Sequence, residues 1–506
     1  MKKISFLITS IVLTGILFTN CSDDFLETRP SNAIGSAELP KDPNALRGLL
    51  KGTYKYMQAW GTGAYTGATG QHDDSGIMSF MILQDILALD IIAGPGGWYT
   101  FTYQHYPSQR YSNHRRATFW WNTSYGIIKN CNAIIKAAEG NNDPEFLNIT
   151  AQAKTLRAFA YHNLVRQYRK TYRLGHDGPG VPLVLEPPVG DPEIDSKPAG
   201  KLSDVFKQIT DDLNWAIENF GSIQRPTKGM VNKNVAEGLL ARVLLEMAYA
   251  PNESAKFDQV ITLAKSARTG FPLMSAAEYG GGFNTVDNGE WLWGHKQDAE
   301  GNISWPGFYS FYDIEKSGRF GYQNFLADTV FVNMFDKNDG RKLFEWNDLG
   351  NGYDKYAIEK FVDKPDRTGD LPYLRAAELL LIEAEAEVNK GNYTKAQTLL
   401  DELRAKRITG YQPEVALTNK NDMLERIWIE RRKELYGEGF ALSDIMRFGF
   451  FLGGTTKVQR GPYHLDFDNE LRDIPADNDK RYLREIPDLE FDSNKAMDRT
   501  KDQNER

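Results

Sequence analysis

The chain has 506 residues, 41% of them hydrophobic and 25% charged, which is too apolar for a disordered chain and longer than one compact core usually serves. Its net charge of −8 comes from acids and bases interspersed along the chain, and this argues against nucleic acid as a partner. Two cysteines exclude a disulfide scaffold, whereas 12% aromatic residues (27 Phe, 24 Tyr and 10 Trp) ask for an explanation.

At the N-terminus Lys2 and Lys3 precede an apolar run over 4–18, the layout of a secretory signal peptide. Crossing a bilayer core of roughly 30 Å takes about 20 apolar residues. This run is shorter and gives way to Cys21, Asp23 and Asp24, so a retained membrane span is the weaker reading. Cys21 then either carries a lipid or pairs with Cys131 in a plain secreted protein. Cys131 shares one helical stripe with Ile127, Ile128, Ile134 and Ile135, so it is expected to pack as a small buried hydrophobe, which leans against the disulfide.

Helical periodicity governs the middle of the chain. The spacing predicts helices over 44–58 and 118–139, then a pair over 151–172 and 202–220 separated by a Pro/Gly-rich insert. A second pair runs from 236 to 268. A third begins at 373, where Leu374, Ala377, Leu381, Ala384 and Val388 make one apolar face to 389, turns at Gly391-Asn392, and continues with Ala396, Leu399, Leu400 and Leu403 inward. These read as tetratricopeptide-like hairpins, which stack because no single hairpin buries its own apolar face. Another helix is expected over 421–436. Between the helices, segments 59–112, 270–370 and 450–506 lack periodicity and are rich in Gly, Asn, Tyr and Trp; segments of that length are expected to be functional.

Several motifs, in order, carry a family resemblance. "FWWNTSYGIIKNCNAII" and "AKTLRAFAYHNLVRQY", "GPGVPLVLEPP", "LPYLRAAELLLIEAEAEVNKGN", "ERRKELYGEGFALSDIMRFG" and "IPDLEFDSN" resemble the SusD/RagB family, with Glu430, Arg431, Arg432, Glu434, Leu435, Glu438, Gly439 and Asp444 on its signature. Ala441 and Leu442 depart from it where Arg and Trp are usual, which concerns local packing. The residues around Cys21 are similar to a bacterial lipobox, and Ser22-Asp23-Asp24 to the acidic export signal of surface lipoproteins in the Bacteroidetes. The resemblance implies a mainly α, SusD-like fold of tetratricopeptide-like hairpins with long irregular insertions and a few short strands. It also implies a signal peptide over 1–20, then parts over 21–230 and 231–506 packed as one composite domain. On the signature helix, residues three or four apart are expected to pair as scaffold, with a network reaching the C-terminal tail.

The implied function is capture of a glycan at the outer surface of a Gram-negative cell and delivery to a SusC-like TonB-dependent transporter, with no cofactor, metal or catalysis. A sugar offers an apolar C–H face and a hydroxyl rim, so its site needs flat rings with polar groups at their edges. Two aromatic clusters, at 94–111 and 290–315, meet that need. Trp98 and Tyr99, flanked by glycines, are the leading ligand contacts, followed by Trp291, Trp293, Trp305 and Tyr309. "GQHDDSG" adds imidazole and carboxylate groups, Asp73 and Asp74 among them, whose alternative role is an Asx turn or helix cap. The enzymatic rival is a secreted glycoside hydrolase, which needs two carboxyls about 5 to 9.5 Å apart. No motif marks such a pair, nor a zinc helix, nucleophile elbow or phosphate loop. A peptide or glycopeptide ligand is a further alternative.

Overall fold

A computed structural model describes residues 42–61, 71–94, 97–104, 106–301, 307–312, 325–347, 355–448, 457–459, 473–475 and 482–505. Cys21 and the 1–20 segment lie outside them. The first helix, α1 (Pro43–Tyr56), starts on Asp42, whose carboxylate accepts the Ala45 N–H, and buries Leu46, Leu50 and Thr53 at helical spacing. After it comes α2 (Gly76–Ile86), whose "GIMSFMILQDI" is apolar all round and buried at every residue.

Strand β1 (Ile91–Ala93) and a short helix, α3 (Trp98–Gln104), lead into the helical frame. Helices α4 (Arg115–Ala137), α5 (Pro144–Tyr168), α6 (Leu202–Asn219), α7 (Lys233–Met247), α8 (Lys256–Arg268), α9 (Ala376–Asn389) and α10 (Tyr393–Arg407) follow, and each packs on its successor. This is the stacked-hairpin arrangement that the apolar spacing predicts. Cys131 is a free, buried thiol on α4 among Ile127, Ile128 and Ile134, and burial pushes it up to about 12.

The third hairpin differs from its sequence reading at the start. Residues 373–375 are extended, the end of strand β6 (Leu371–Arg375), because they pair with β2 (Trp291–His295), in register Trp291 to Arg375. Pairing with a strand some eighty residues away outweighs the local helical pattern. The helix proper, α9, is enclosed on all sides. Its glutamates each meet a cation: Glu378 pairs with Arg242 at 2.7 Å, Glu383 with Arg268 at 3.0 Å, Glu385 with Arg447 and Glu387 with Lys395.

The aperiodic segments are also more ordered than loops. Strand β1 from 59–112 pairs antiparallel with β3 (Phe325–Ala327), which pairs with β5 (Lys355–Ile358), which pairs with β4 (Phe344–Asn347). The two segments without helical period thus share one four-stranded sheet. In the last long segment β7 (Lys457–Gln459) pairs with β8 (Asp473–Pro475).

On α11 (Lys420–Leu435) the signature glutamates are interior, not surface partners. Glu430 takes Arg341 at 2.6 Å and Arg404 at 2.7 Å; Glu434 takes Arg407 at 2.9 Å, Arg375 at 3.1 Å and Arg341 at 3.2 Å. Glu290 holds Arg375 and, at 2.8 Å, Arg407, while Glu438 holds Arg375 at 2.7 Å and Lys360 at 2.6 Å. With Asp339 on Arg341 at 2.8 Å, the acids Glu290, Asp339, Glu430, Glu434 and Glu438 balance the bases Arg341, Lys360, Arg375, Arg404 and Arg407. Among the described residues the network reaches the 270–375 region and α10: Arg375 at the end of β6, Arg341 and Lys360 in loops, and Arg404 and Arg407 on α10 deliver the cations that let these carboxylates be buried. The next helix, α12 (Ala441–Phe448), buries Leu442 at the departure from the family pattern.

Candidate binding site

Two close approaches bring exposed rings together beside α1. The Met57 carbonyl, at the end of that helix, accepts the Ile77 N–H at 2.8 Å, and Trp60 bridges to Ser75. Gly76 permits this with φ at +49°; a Cβ there would lie 2.0 Å from the Met57 carbonyl oxygen. Trp60 is held by its indole N–H, which donates to the Gln71 carbonyl at 2.7 Å, and leaves its ring 46% exposed.

Helix α3 supplies the next rings. Spacing of three puts Trp98, half-buried, and Phe101, 51% exposed, on its outer face, while Tyr99, Thr102 and Tyr103 face the core. Ring centroids step from Trp60 to His72 at 6.0 Å, from His72 to Trp98 at 6.3 Å and from Trp98 to Phe101 at 5.7 Å. The result is a continuous aromatic shelf. Behind it the Arg115 guanidinium lies 5.1 Å from the Trp98 ring centroid and donates to Asp73 at 2.7 Å and to both oxygens of Asp74 at 2.8 and 2.9 Å. The acidic pair therefore fixes the arginine that steadies Trp98.

On the other side of Trp60 opens a groove of about 620 Å³, lined by Tyr54 of α1 and Gln58 just after it, Thr227 and Met230 ahead of α7, and His295 and Lys296 at the end of β2. Lys55 and Glu300 pair at its rim at 3.2 Å. Burial lowers the His295 imidazole to about 4, and burial lowers His72 as well. Both rings are therefore neutral near pH 7, and the His295 ring is held by the side-chain oxygen of Gln297, 2.9 Å from its Nε2.

Of the expected contacts, Trp98 lies on the shelf. Tyr99, its neighbour, is inside: its hydroxyl bonds Ser79 at 2.9 Å and its ring meets Phe311 edge-on at 4.9 Å. Trp293 is enclosed between Phe159 at 4.9 Å and Tyr373 at 4.8 Å, and Trp291 is 1% exposed, because β2 is covered on both faces. The Tyr309 hydroxyl points inward, 2.6 Å from the carbonyl oxygens of Phe283 and of Asp370, to one of which it donates. Asp73 sits in the tight turn 71–74, closed by the Asp74 N–H on the Gln71 carbonyl, and its side chain is fully buried against Arg115 and Arg116. These five side chains thus sit in the core instead of on the expected ligand surface, and Trp305 lies outside the described residues. Trp60 and Phe101 were not anticipated individually. The signal for Phe101 is its spacing of three from Trp98; for Trp60 it is a tryptophan beyond the buried stripe of α1, followed directly by glycine.

Flat faces flanked by neutral imidazoles and an open groove suit a ligand with apolar faces and a polar rim. The carboxylates behind the shelf are tied to guanidinium groups. Among the described residues, no group of three or more His, Cys, Asp or Glu side chains is placed to hold a metal ion.

Comparison with known proteins agrees with this architecture. The model of the SusD family matches residues 311–505, and a second, described as starch-binding associating with outer membrane, matches 63–245. Both models are of the SusD kind, so the resemblance to the SusD/RagB family extends over the N-terminal and the C-terminal parts of the chain. It is 24% identical over 266 residues to a SusD-like protein of Bacteroides ovatus, an alignment covering 50% of this chain and 42% of that protein, so less than half the curated relative's length is matched. Among solved structures it is similar to a SusD-like carbohydrate binding protein of Bacteroides vulgatus, at a TM-score of 0.76 and 25% identity over 92% of this chain and 98% of that one. A laminarin binding SusD-like protein shares the fold at a TM-score of 0.65 and 18% identity, covering 91% of this chain and 98% of the other.

Proposed function

We propose that this protein captures an oligosaccharide at the outer surface of a Gram-negative outer membrane and passes it, uncleaved, to a SusC-like TonB-dependent transporter. The observation that carries this reading is the row Trp60, His72, Trp98 and Phe101, exposed at its two ends and half-buried between them, whose Trp60 end lines a groove of about 620 Å³. That volume falls within the range of about 300–1,000 Å³ common for small-molecule sites. The names of the Bacteroides vulgatus and laminarin-binding relatives support a glycan ligand, and the description of the second family model supports outer-membrane association.

Attachment would come from lipid on Cys21, each buried methylene contributing about 0.8 kcal/mol. Among the described residues no helix is long and apolar enough to cross a membrane. Binding without turnover is supported by Asp73 and Asp74, the carboxylates behind the shelf, both engaged by arginine. A general acid needs a carboxyl free to exchange its proton with the glycosidic oxygen.

The test is a glycan array on the purified protein, followed by calorimetric titration of any hit against wild type, Trp60→Ala and Trp98→Ala. Weakened binding in both variants is expected, with no reducing ends released from a polysaccharide panel. Release of reducing ends would replace the reading with a hydrolase. Binding to peptides and to no glycan would replace it with a peptide carrier.

A further inference from the structure

Away from the shelf, a crevice of about 50 Å³ lies where α5, α7, α9, α11 and α12 converge. Its acids pair within the lining itself: Glu378 with Arg242, Asp444 with Arg431 and Arg447, and Glu246 with the His162 ring at 2.9 Å, so three carboxylates stand against six cationic side chains. What remains is positive. Arg166 donates its Nε to the Ser443 hydroxyl at 3.1 Å, and Arg169 donates to the carbonyls of Gly180 at 2.6 Å and Asp502 at 3.0 Å and to Asn504, all neutral acceptors.

Three donors on crevice-lining residues are buried without a hydrogen-bond partner among the described residues: Arg169 Nη2, Arg431 Nη1 and the Thr171 hydroxyl. Arg169 is 2% exposed and Arg431 3%. Buried donors of this kind are normally satisfied; Arg431 has Asp444 on its other edge, whereas the Arg169 guanidinium meets only neutral acceptors and is costly to bury unless a counter-ion sits against it. Burial pulls both Arg166 and Arg169 down to about 10, in keeping with that cost.

We infer that this crevice binds a small inorganic oxyanion of the phosphate or sulfate type, held by Arg166, Arg169, Arg431 and the Thr171 hydroxyl. The planar forks of arginine match oxyanion geometry, and the available volume admits one such ion but not a sugar ring. The site is separate from the glycan groove and does not depend on the reading of it. Its role is to tie the C-terminal end of α5 to α11 and α12, joining elements that are far apart in sequence.

The test is equilibrium dialysis of the full chain with radiolabelled inorganic phosphate, with thermal unfolding followed at constant ionic strength in chloride. One phosphate per chain is expected, with a saturable rise in thermal midpoint of about 3 °C at a hundredfold excess over Kd. Arg166→Gln is expected to abolish both signals and Arg166→Lys to retain part of them. Thr171→Val, which removes an unpartnered hydroxyl and is expected to fold, discriminates further: it weakens phosphate binding several-fold if the hydroxyl serves the anion. No bound phosphate in wild type, or an unsaturable rise of the same size in wild type, Arg166→Gln and Thr171→Val, would overturn the assignment.

Discussion

Trp98 and Tyr99 are adjacent in sequence and opposite in fate. On a helix of seven residues a step of one turns the side chain by roughly a quarter of a circle or more, so one ring reaches solvent and the next reaches Ser79 and Phe311. Trp98→Ala is expected to lower glycan affinity about tenfold or more and leave the thermal midpoint nearly unchanged, because the ring is only half-buried. Trp293→Ala should do the reverse: truncating a fully enclosed indole costs about 3–5 kcal/mol, read by denaturant unfolding, with affinity altered only through misfolding. Equal losses of stability in the two variants would contradict the assignment of shelf and core. The aromatic cluster was legible in composition. Its division into shelf and core was not, since glycine-rich sequence carries no period from which to read a face.

The elements owe much of their placement to the charged interior around α11. Glu434 faces Arg341, Arg375 and Arg407 with no exposure of its own. Glu434→Gln is therefore expected to destabilise by about 3–5 kcal/mol, because it leaves buried guanidinium charge uncompensated. Lys136→Ala, which breaks a surface pair with Glu139, should have no measurable effect on unfolding. The turn after α11 is a second fixed point. Gly439 has φ of +85° and packs against the backbone of Met81, where an added Cβ would lie 2.7 Å from Cα. Gly439→Ala is expected to cost about 2 kcal/mol or more through strain and displacement of α2. The signature glutamates were legible as helical and scaffold-bearing; their partners were not, because those cations arrive from α10, from β6 and from loops tens of residues away.

At the scale of the whole molecule, stability should be bounded at both ends of the pH range. Burial alone would raise the Glu430 carboxyl, but the guanidinium groups of Arg341 and Arg404 outweigh it and hold it at about 2. Its unfolded value is higher, so its contribution is complete above about pH 4.5 and is lost as pH falls toward 2. Asp85 behaves oppositely. Burial pushes it up to about 8, against the N–H groups of Gly439 and Ala441 that it accepts. Folded, it keeps its proton where the unfolded chain has lost it, so its contribution is present below about pH 4 and declines as pH rises to about 8. Denaturant midpoints measured from pH 5 to 8 should fall more in wild type than in Asp85→Asn; parallel slopes would show that Asp85 is not the group responsible.

The sequence by itself determined the stacked helices, the buried free thiol on α4, the family signature and the two regions in which rings gather. Those features are local: a period of 3.6, or a composition, is written in consecutive residues. Only the tertiary structure decided that residues 373–375 extend into β6, that the aperiodic segments meet in one sheet, and that Trp60, His72, Trp98 and Phe101 face solvent while Tyr99, Trp291, Trp293 and Tyr309 do not. The reason is physical. In segments without a period, which way a ring points is set by strand pairing and by buried charge brought from distant parts of the chain, and neither is encoded in the residues next to it.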